Sequence, residues 1–258
     1  MAARLRWLNL SGALTLITVV GAWQLAVDTG LVDLDYLPAP SEVAQAGASG
    51  LSSGELGSAA AHTLAVSLVA WLIALVVGVA AGVLIALWRP ARVTLTASVE
   101  ILRTLPVVAF VPIAVLIVGL STTMEIAVAA WAAMWPILVN TRGGVDAVPA
   151  RLHEVAAVFR MTALRRVRVV VLPAAAPLVL VGARLGLSFA LIVTVVAEMI
   201  GNPAGLGYQI VRLQQALRPD EMFAAVVVIG LLGIGLNAAL LALTTRVAPD
   251  MFEPGRRA

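Results

Sequence analysis

Long apolar runs, separated by short charged connections, dominate this chain. An α-helix needs about 20 consecutive apolar residues to cross the roughly 30 Å of hydrocarbon in a bilayer. Runs of this kind occupy residues 10–27, 63–87, 104–124, 126–141, 169–197 and 222–245. The pattern predicts an all-α integral membrane protein with about six transmembrane helices.

Prolines lie in or beside two of these runs. Pro106 and Pro112 fall in the third, and Pro173 and Pro177 stand at the start of the fifth. Proline removes a backbone hydrogen-bond donor, so kinks or helix starts are expected at these positions.

Two Gly-x-x-x-Gly pairs occur within the runs, Gly78 with Gly82 and Gly182 with Gly186. Small residues at this spacing allow membrane helices to approach closely. Glycine is also simply frequent in membrane helices, and the sequence alone favours that plainer interpretation.

Arginine residues alternate between the two sides of the predicted spans. They precede the first run and follow the second, fourth and sixth (Arg4, Arg6, Arg89, Arg92, Arg103, Arg142, Arg151, Arg160, Arg165, Arg166, Arg168, Arg246, Arg256 and Arg257). The connection between the first two runs carries only acidic charges, and Arg212 and Arg218 in the last connection are balanced by Asp220 and Glu221. The positive-inside rule therefore predicts that both termini are cytoplasmic.

Composition supports a membrane protein and excludes several kinds of chemistry. Hydrophobic residues make up 61% of the 258 positions and charged residues only 12%, too few for the polar shell of a soluble domain. The chain has no cysteine and no lysine, which excludes disulfides, thiolate metal sites and a phosphate-loop lysine. Its two histidines, His62 and His153, are far apart in sequence, so no metal site is expected. The net charge of +3 follows membrane sidedness, and no nucleic-acid partner is expected.

The connection 151–168 differs from the others because it mixes charges with apolar positions and is long enough for two short helices. Leu152, Val155 and Phe159 fall on one face of a helix, and Glu154 lies in its first turns, where a carboxylate suits the helix dipole. Such an amphipathic element either lies on anionic lipid or docks into a groove of a cytoplasmic partner. These physical considerations alone slightly favour lipid.

The stretch from Glu154 to Arg160, followed by 165–173, resembles the EAA loop of ABC importer permeases. Ala156, Leu172 and Pro173 match that motif together with Glu154. The chain departs from it at Val155, where alanine is usual, and at Arg160, where glycine is usual. Glycine permits the tight turn between two coupling helices, whereas arginine resists positive φ.

Further motifs extend the resemblance to the nitrate, sulfonate and taurine permease branch. Leu37-Pro-Ala-Pro-Ser-Glu-Val43 is similar to an external Leu-Pro-x-Pro motif, and Ala197-Glu-Met-Ile-Gly201 and Gly205-Leu-Gly207 fit the end of the fifth span. The resemblance implies a type I importer permease fold, with residues 1–258 as one transmembrane domain that contains the 151–168 coupling loop.

The resemblance also implies partners. These are a cytoplasmic ABC ATPase dimer, a second permease subunit and an external substrate-binding protein, in the lipid bilayer of a bacterial inner membrane. ATP and Mg would bind the ATPase, and this chain would bind no cofactor and be no enzyme by itself. Its coupling residues would be Glu154, Ala156, Phe159, Arg160, Leu172 and Pro173. The altered position Arg160 suggests a heterodimer with a more standard permease.

Charges inside the apolar runs are candidates for the transport pathway, because a charge in hydrocarbon costs about 2.5–3.5 kcal/mol on insertion scales. Arg184 is the deepest. It either faces the pore and attracts an anion or, as the sequence favours, lies near the cytoplasmic edge or pairs with another helix. Glu198 is expected at the external gate, and Glu125 at the membrane interface. Trp131 and Trp135 are expected to pack or to lie in the aromatic belt.

Two other classes of protein remain open on the sequence. A secondary transporter driven by an ion gradient usually shows inverted repeats or coupling acids within the membrane. A membrane scaffold would use the basic loop only to bind lipid or a partner. An adjacent gene encoding an ATPase would distinguish the importer from both.

Overall fold

The structure is a computed structural model that describes residues 2–32, 34 and 36–247, with side chains described between Ser11 and Arg246. Arg256 and Arg257, which entered the topology argument, lie outside these residues. The described part folds into helices without strands: α1 (Ala2–Asp28), α2 (Pro40–Ser52), α3 (Glu55–Leu87), α4 (Arg89–Thr104), α5 (Val111–Val118), α6 (Thr122–Asp146), α7 (Ala150–Val158), α8 (Ala163–Arg166), α9 (Leu172–Gly201), α10 (Gly205–Gln215) and α11 (Pro219–Val247).

Five helical segments of the described chain are long and apolar enough to cross a membrane, and a sixth results if one bent pair counts as a span. They are α1, α3, α6, the continuous segment that ends with α9, and α11. The predicted all-α class and the number of about six spans are therefore confirmed. The fourth predicted run is extended at both ends, since α6 covers Thr122–Asp146.

The third predicted run, residues 104–124, does not form one membrane helix. Residues Arg89–Thr104 and Val107–Val118 form two helical pieces bent by 85°. The break falls at Leu105 and Pro106, where the backbone is extended, and proline can donate no hydrogen bond to continue the first piece. Pro112 lies in the first turn of α5, the helix position at which proline is best tolerated. The expected kink or helix start is therefore confirmed at both prolines, and the angle of the bend is added by the structure.

Helix α6 lies at the centre of the bundle, with α3 and α9 packed against it through glycine. A Cβ atom at Gly82 of α3 would lie 2.7 Å from the Cβ of Thr141 and 2.8 Å from the carbonyl oxygen of Leu138. A Cβ at Gly186 of α9 would lie 2.7 Å from the side chain of Ile137. These distances are too short for real carbon contacts, so the glycines are required for this packing. The plainer interpretation of the two glycine pairs is therefore wrong.

The same close approach involves the other glycine of each pair. A Cβ at Gly78 would lie 2.9 Å from Ile137, and one at Gly182 would lie 2.8 Å from Asn140. Both glycine faces thus meet the same stretch of α6, which fixes the relative position of three transmembrane helices.

The Leu-Pro-Ala-Pro-Ser-Glu-Val motif forms the start of α2. Pro40 occupies the first turn, and the backbone N–H of Ala39 donates to the Glu42 carboxylate at 2.9 Å. This side-chain bond satisfies a backbone donor that precedes the helix. Val43 and Ala46 then pack against Ala224 of α11, which ties α2 to the last membrane helix.

Candidate functional site

The 151–168 connection forms the two short helices that the sequence predicts. Helix α7 covers Ala150–Val158, and α8 covers Ala163–Arg166 with Thr162 as its N-cap, whose side chain accepts from the N–H of Arg165 at 3.4 Å. Ala156 of α7 is only 1% exposed. Its burial anchors α7 to the rest of the protein while the opposite side of that helix remains free.

Arg160 adopts the left-handed conformation that glycine usually supplies. Its φ is +48°, its N–H donates to the carbonyl of Ala157 at 2.9 Å, and the N–H of Met161 donates to the carbonyl of Ala156 at 3.0 Å. These two bonds define a Schellman motif that ends α7. The turn expected to resist arginine therefore forms with it, at the steric cost that a Cβ atom brings to this conformation.

The apolar face predicted for this segment is divided by the structure. Leu152 packs inward against the cluster that contains Val145 and Val171. Phe159 and Val158 remain 71% and 81% exposed. The exposed apolar surface at the end of α7 therefore consists of Val155, Val158 and Phe159, beside the exposed charges Glu154 and Arg160. We call it the α7 patch.

No break marks Leu172 and Pro173. A π-helical turn over Val167–Val171 continues from α8 directly into α9, so the chain is helical from Ala163 to Gly201. Pro173 lies in the first turn of α9, where its missing N–H is tolerated, and its side chain is exposed. Val171 and Ala175 are buried on the inner side.

Arg184 lies well inside α9, twelve positions after Leu172, and its side chain is exposed. Its Nε donates to Oδ1 of Asn237 in α11 at 2.6 Å. The two side chains line a groove of about 490 Å³ between α9 and α11. Of the alternatives left by the sequence, pairing with a neighbouring helix is observed.

Glu198 is 1% exposed and lies among hydrogen-bond donors from two other helices. Its Oε2 accepts from the hydroxyl of Thr63 in α3 at 3.0 Å and from the N–H of Gly207 in α10 at 2.9 Å. The N–H of Leu206 donates to the Thr63 oxygen at 2.9 Å. A side chain at Gly205 (φ +85°) would overlap the Glu198 carboxyl. The Gly205-Leu-Gly207 motif therefore allows the start of α10 to close over Glu198.

Glu125 and His62 complete this cluster. Glu125, expected at the membrane interface, is fully buried within the protein. Its Oε2 lies 3.1 Å from Nε2 of His62. One atom each of His62, Glu125 and Glu198 lies within 4.8 Å of the other two. The second carboxylate oxygens of Glu125 and Glu198 have no hydrogen-bond partner.

Sequence reasoning missed this cluster because its members are far apart along the chain, on α3, α6 and α9. The signal that could have found it was the position of each ionisable group within or beside an apolar run, since such groups rarely remain unpaired in a membrane. Trp131 and Trp135, in contrast, form the expected packing contact, with ring centroids 4.9 Å apart and edge-to-face geometry.

A bundle of apolar helices with an exposed amphipathic turn on one side is the architecture of a polytopic transport permease. The chain belongs to the family of binding-protein-dependent transport system inner membrane components, whose pattern matches residues 74–253. It is 30% identical over 230 residues to the putative aliphatic sulfonates transport permease protein SsuC of Bacillus subtilis, covering 89% of this chain and 83% of that protein.

Another relative is the nitrate import permease protein NrtB of Leptolyngbya laminosa, 31% identical over 182 residues, which are 70% of this chain and 65% of the relative. Among solved structures, the inward-facing MetNI methionine ABC transporter superimposes with a TM-score of 0.57 at 23% identity, over 72% of this chain and 95% of that one. This similarity supports the fold.

The chain is therefore a transmembrane permease subunit of an ABC importer and a multi-pass inner-membrane protein. Its family works with an ATPase and a substrate-binding protein, so the chain is a transport subunit and not an enzyme. Family membership excludes the secondary transporter and the membrane scaffold that the sequence left open.

Proposed function

We propose that this chain forms the membrane pathway of an importer for a small oxyanion of the sulfonate or nitrate class, and that Arg184 lies on this pathway. The main support for this proposal is the exposed guanidinium of Arg184 within a transmembrane helix, which donates a hydrogen bond to Asn237. The relatives named for sulfonates and nitrate point to the same chemical class.

The argument rests on the cost of an exposed charge within hydrocarbon. An arginine at the centre of a membrane helix costs about 2.5–3.5 kcal/mol even on the lenient insertion scales. Asn237 is a neutral partner and does not compensate the charge. A second subunit or a water-filled pathway against this face of α9 removes the cost, and in the pathway the guanidinium can bind an oxyanion with two parallel hydrogen bonds.

Transport by the complete complex, reconstituted with its ATPase and binding protein, tests this proposal. Uptake of nitrate and of a radiolabelled alkanesulfonate is measured for the wild type and for Arg184→Lys and Arg184→Gln. We expect Arg184→Lys to retain part of the uptake because it keeps the charge, and Arg184→Gln to lose at least about tenfold, the effect of 1.4 kcal/mol. Equal uptake by Arg184→Gln and the wild type would remove Arg184 from the pathway.

The α7 patch supplies the second part of the proposal, which is that it docks into the ATPase and transmits closure of the ATPase dimer to α9. Val158 and Phe159 provide the apolar contact, and Glu154, Ala156, Leu172 and Pro173 position the segment. An unbroken helix from Ala163 to Gly201 supports this, because it provides a rigid connection from the turn to the Glu198 cluster. Arg165, Arg166 and Arg168 share their role between the partner and lipid phosphates.

The charge reversal Glu154→Arg tests coupling separately from insertion. We expect normal amounts of the variant in the membrane and a loss of ATP-driven uptake. Glu100→Arg is the matched control, since Glu100 is an exposed acidic residue of α4 that pairs with the nearby Arg103. Normal transport by Glu154→Arg would contradict the proposed role.

The complex we propose contains two copies of this chain. In each copy both termini are cytoplasmic and residues 1–258 act as one domain. ATP and Mg bind only the ATPase. The heterodimer was suggested because arginine was expected to prevent the turn at residue 160. Since Arg160 takes the required φ of +48°, two identical subunits can both form it. Purification of a complex with two different permease chains would contradict this composition.

A further inference from the structure

Three potential metal ligands meet where α3 and α6 begin and α9 ends. His62 lies seven residues after the start of α3, Glu125 three after the start of α6, and Glu198 three before the end of α9. At about 1.5 Å per residue, each is within roughly 11 Å of a helix end. The cluster therefore lies near one membrane surface, which is the outer one if the proposed topology holds.

The charges of this cluster do not balance. Two carboxylates face one imidazole, so even a protonated His62 leaves an excess of negative charge. Thr63 and Gly207 donate to one oxygen of Glu198, and His62 lies beside one oxygen of Glu125. Buried charges are normally paired or bound to a metal.

A second observation points to a bound ligand. Oε1 of Glu125 and Oε1 of Glu198 are buried, in residues 0% and 1% exposed, and have no hydrogen-bond partner in the part of the chain that the structure describes. Buried carboxylate oxygens without a partner are costly, and each such group needs an explanation. A cation between the two carboxyl groups supplies the missing partner for both.

We propose that His62, Glu125 and Glu198 bind a divalent transition-metal cation of the Zn²⁺ type, which ties α3, α6 and α9 together. One imidazole nitrogen and two carboxylate oxygens form a donor set suited to zinc, with water as a fourth ligand. Ca²⁺ and Mg²⁺ prefer oxygen ligands, so the imidazole nitrogen of His62 favours a transition metal over both.

The distances suit such a metal after a small closure of the side chains. Two ligand atoms, each about 2.1 Å from a tetrahedral zinc, are about 3.4 Å apart. Nε2 of His62 and Oε2 of Glu125 are 3.1 Å apart, and one ligand atom from each of the three residues lies within 4.8 Å of the other two. The His62 side chain is 25% exposed and offers a route for the ion, whereas Glu125 is closed off.

Metal content of the purified permease–ATPase complex, carrying an affinity tag without histidine, tests the proposal. The complex is incubated with Zn²⁺, gel-filtered and analysed by mass spectrometry for zinc. We expect one zinc more per permease chain in the wild type than in His62→Gln or Glu198→Gln, because loss of a direct ligand weakens binding by at least about tenfold. His153→Gln is the matched control, because it changes the second histidine of the chain, which lies in α7, away from the cluster. It should keep the zinc content of the wild type.

Thermal unfolding provides an independent readout. Zn²⁺ should raise the Tm of the wild type and of His153→Gln, with no shift in His62→Gln, and Mg²⁺ should have no comparable effect. Glu125→Lys should bind no zinc, and Zn²⁺ should not raise its Tm. The ammonium group of the lysine supplies the positive charge that the cation otherwise provides. Equal zinc content in His62→Gln and the wild type, or an equal Tm shift with Mg²⁺, would overturn the proposal. Because the His62 side chain is partly exposed, His62→Gln should fold normally. The test therefore still holds if Glu198→Gln fails to fold.

Discussion

The hydroxyl of Thr63 in α3 donates to Oε2 of Glu198 in α9 across 3.0 Å, although 135 positions separate the two residues. The same threonine oxygen accepts from the N–H of Leu206 at the start of α10. One small side chain therefore joins three helices at the place where the membrane bundle meets the segment that closes over it.

Replacing Thr63 with valine keeps the shape of the side chain and removes both hydrogen bonds. The N–H of Leu206 then loses its acceptor and Glu198 loses one donor in a buried site, which should destabilise the protein by about 1–3 kcal/mol. A lower Tm of the purified complex is the measurement.

Thr194→Val is the matched control for this substitution. Thr194 is also fully buried, but its hydroxyl has no partner, so valine should be neutral or slightly stabilising there. Equal destabilisation by the two substitutions would show that the Thr63 hydrogen bonds contribute nothing specific.

Arg160→Gly should stabilise the turn after α7. Removal of the Cβ relieves a left-handed conformation that costs about 1–2 kcal/mol for residues other than glycine, and the greater freedom of glycine in the unfolded chain offsets part of this gain. We expect a net increase of up to about 1 kcal/mol in the free energy of unfolding, measured as a higher Tm, with transport retained.

Ala157→Gly, three positions earlier, should have the opposite effect. Ala157 lies within α7, where glycine costs about 1 kcal/mol relative to alanine. A fall in Tm for both variants would mean that Arg160 is not in the left-handed conformation.

Gly82→Ala tests the packing of α3 on α6. A methyl group there would meet the backbone of Leu138 and the side chain of Thr141, so the helices must separate and the Tm should fall. Gly12→Ala in α1 is the control, because a Cβ there meets nothing within 4 Å and alanine favours the helix. A similar Tm for the two variants would contradict the glycine-dependent packing.

Most transmembrane helices could be predicted because each depends on local apolar length. The third span could not, since the count of apolar residues is the same for a straight helix and for two pieces at 85°. Pro106 indicates a break but not its angle, which depends on packing against α6 and α9. Arg160 presents a similar problem, because residue preference alone opposes the turn that the surrounding hydrogen bonds impose.

The Glu198 cluster depends on tertiary structure in a different way. Glu125 is expected at the membrane interface because it stands beside the start of a short run, but no local feature indicates that the fold buries its side chain completely. No local pattern links it to His62, 63 positions away. The glycine spacing in α3 and α9 can be read from the sequence. That both glycine pairs pack against α6 is known only from the structure.

Site-specific photocrosslinking at Phe159 tests the central claim, that the α7 patch contacts the ATPase, most directly. The chain has no cysteine, so Phe159→Cys can carry a single benzophenone label without altering other sites. Leu217→Cys is the control, because Leu217 is similarly exposed and also lies just after the end of a helix. We predict a permease–ATPase adduct from position 159 and none from position 217. Absence of the adduct at 159 in an intact, ATP-hydrolysing complex, or equal adducts at both positions, would contradict the account.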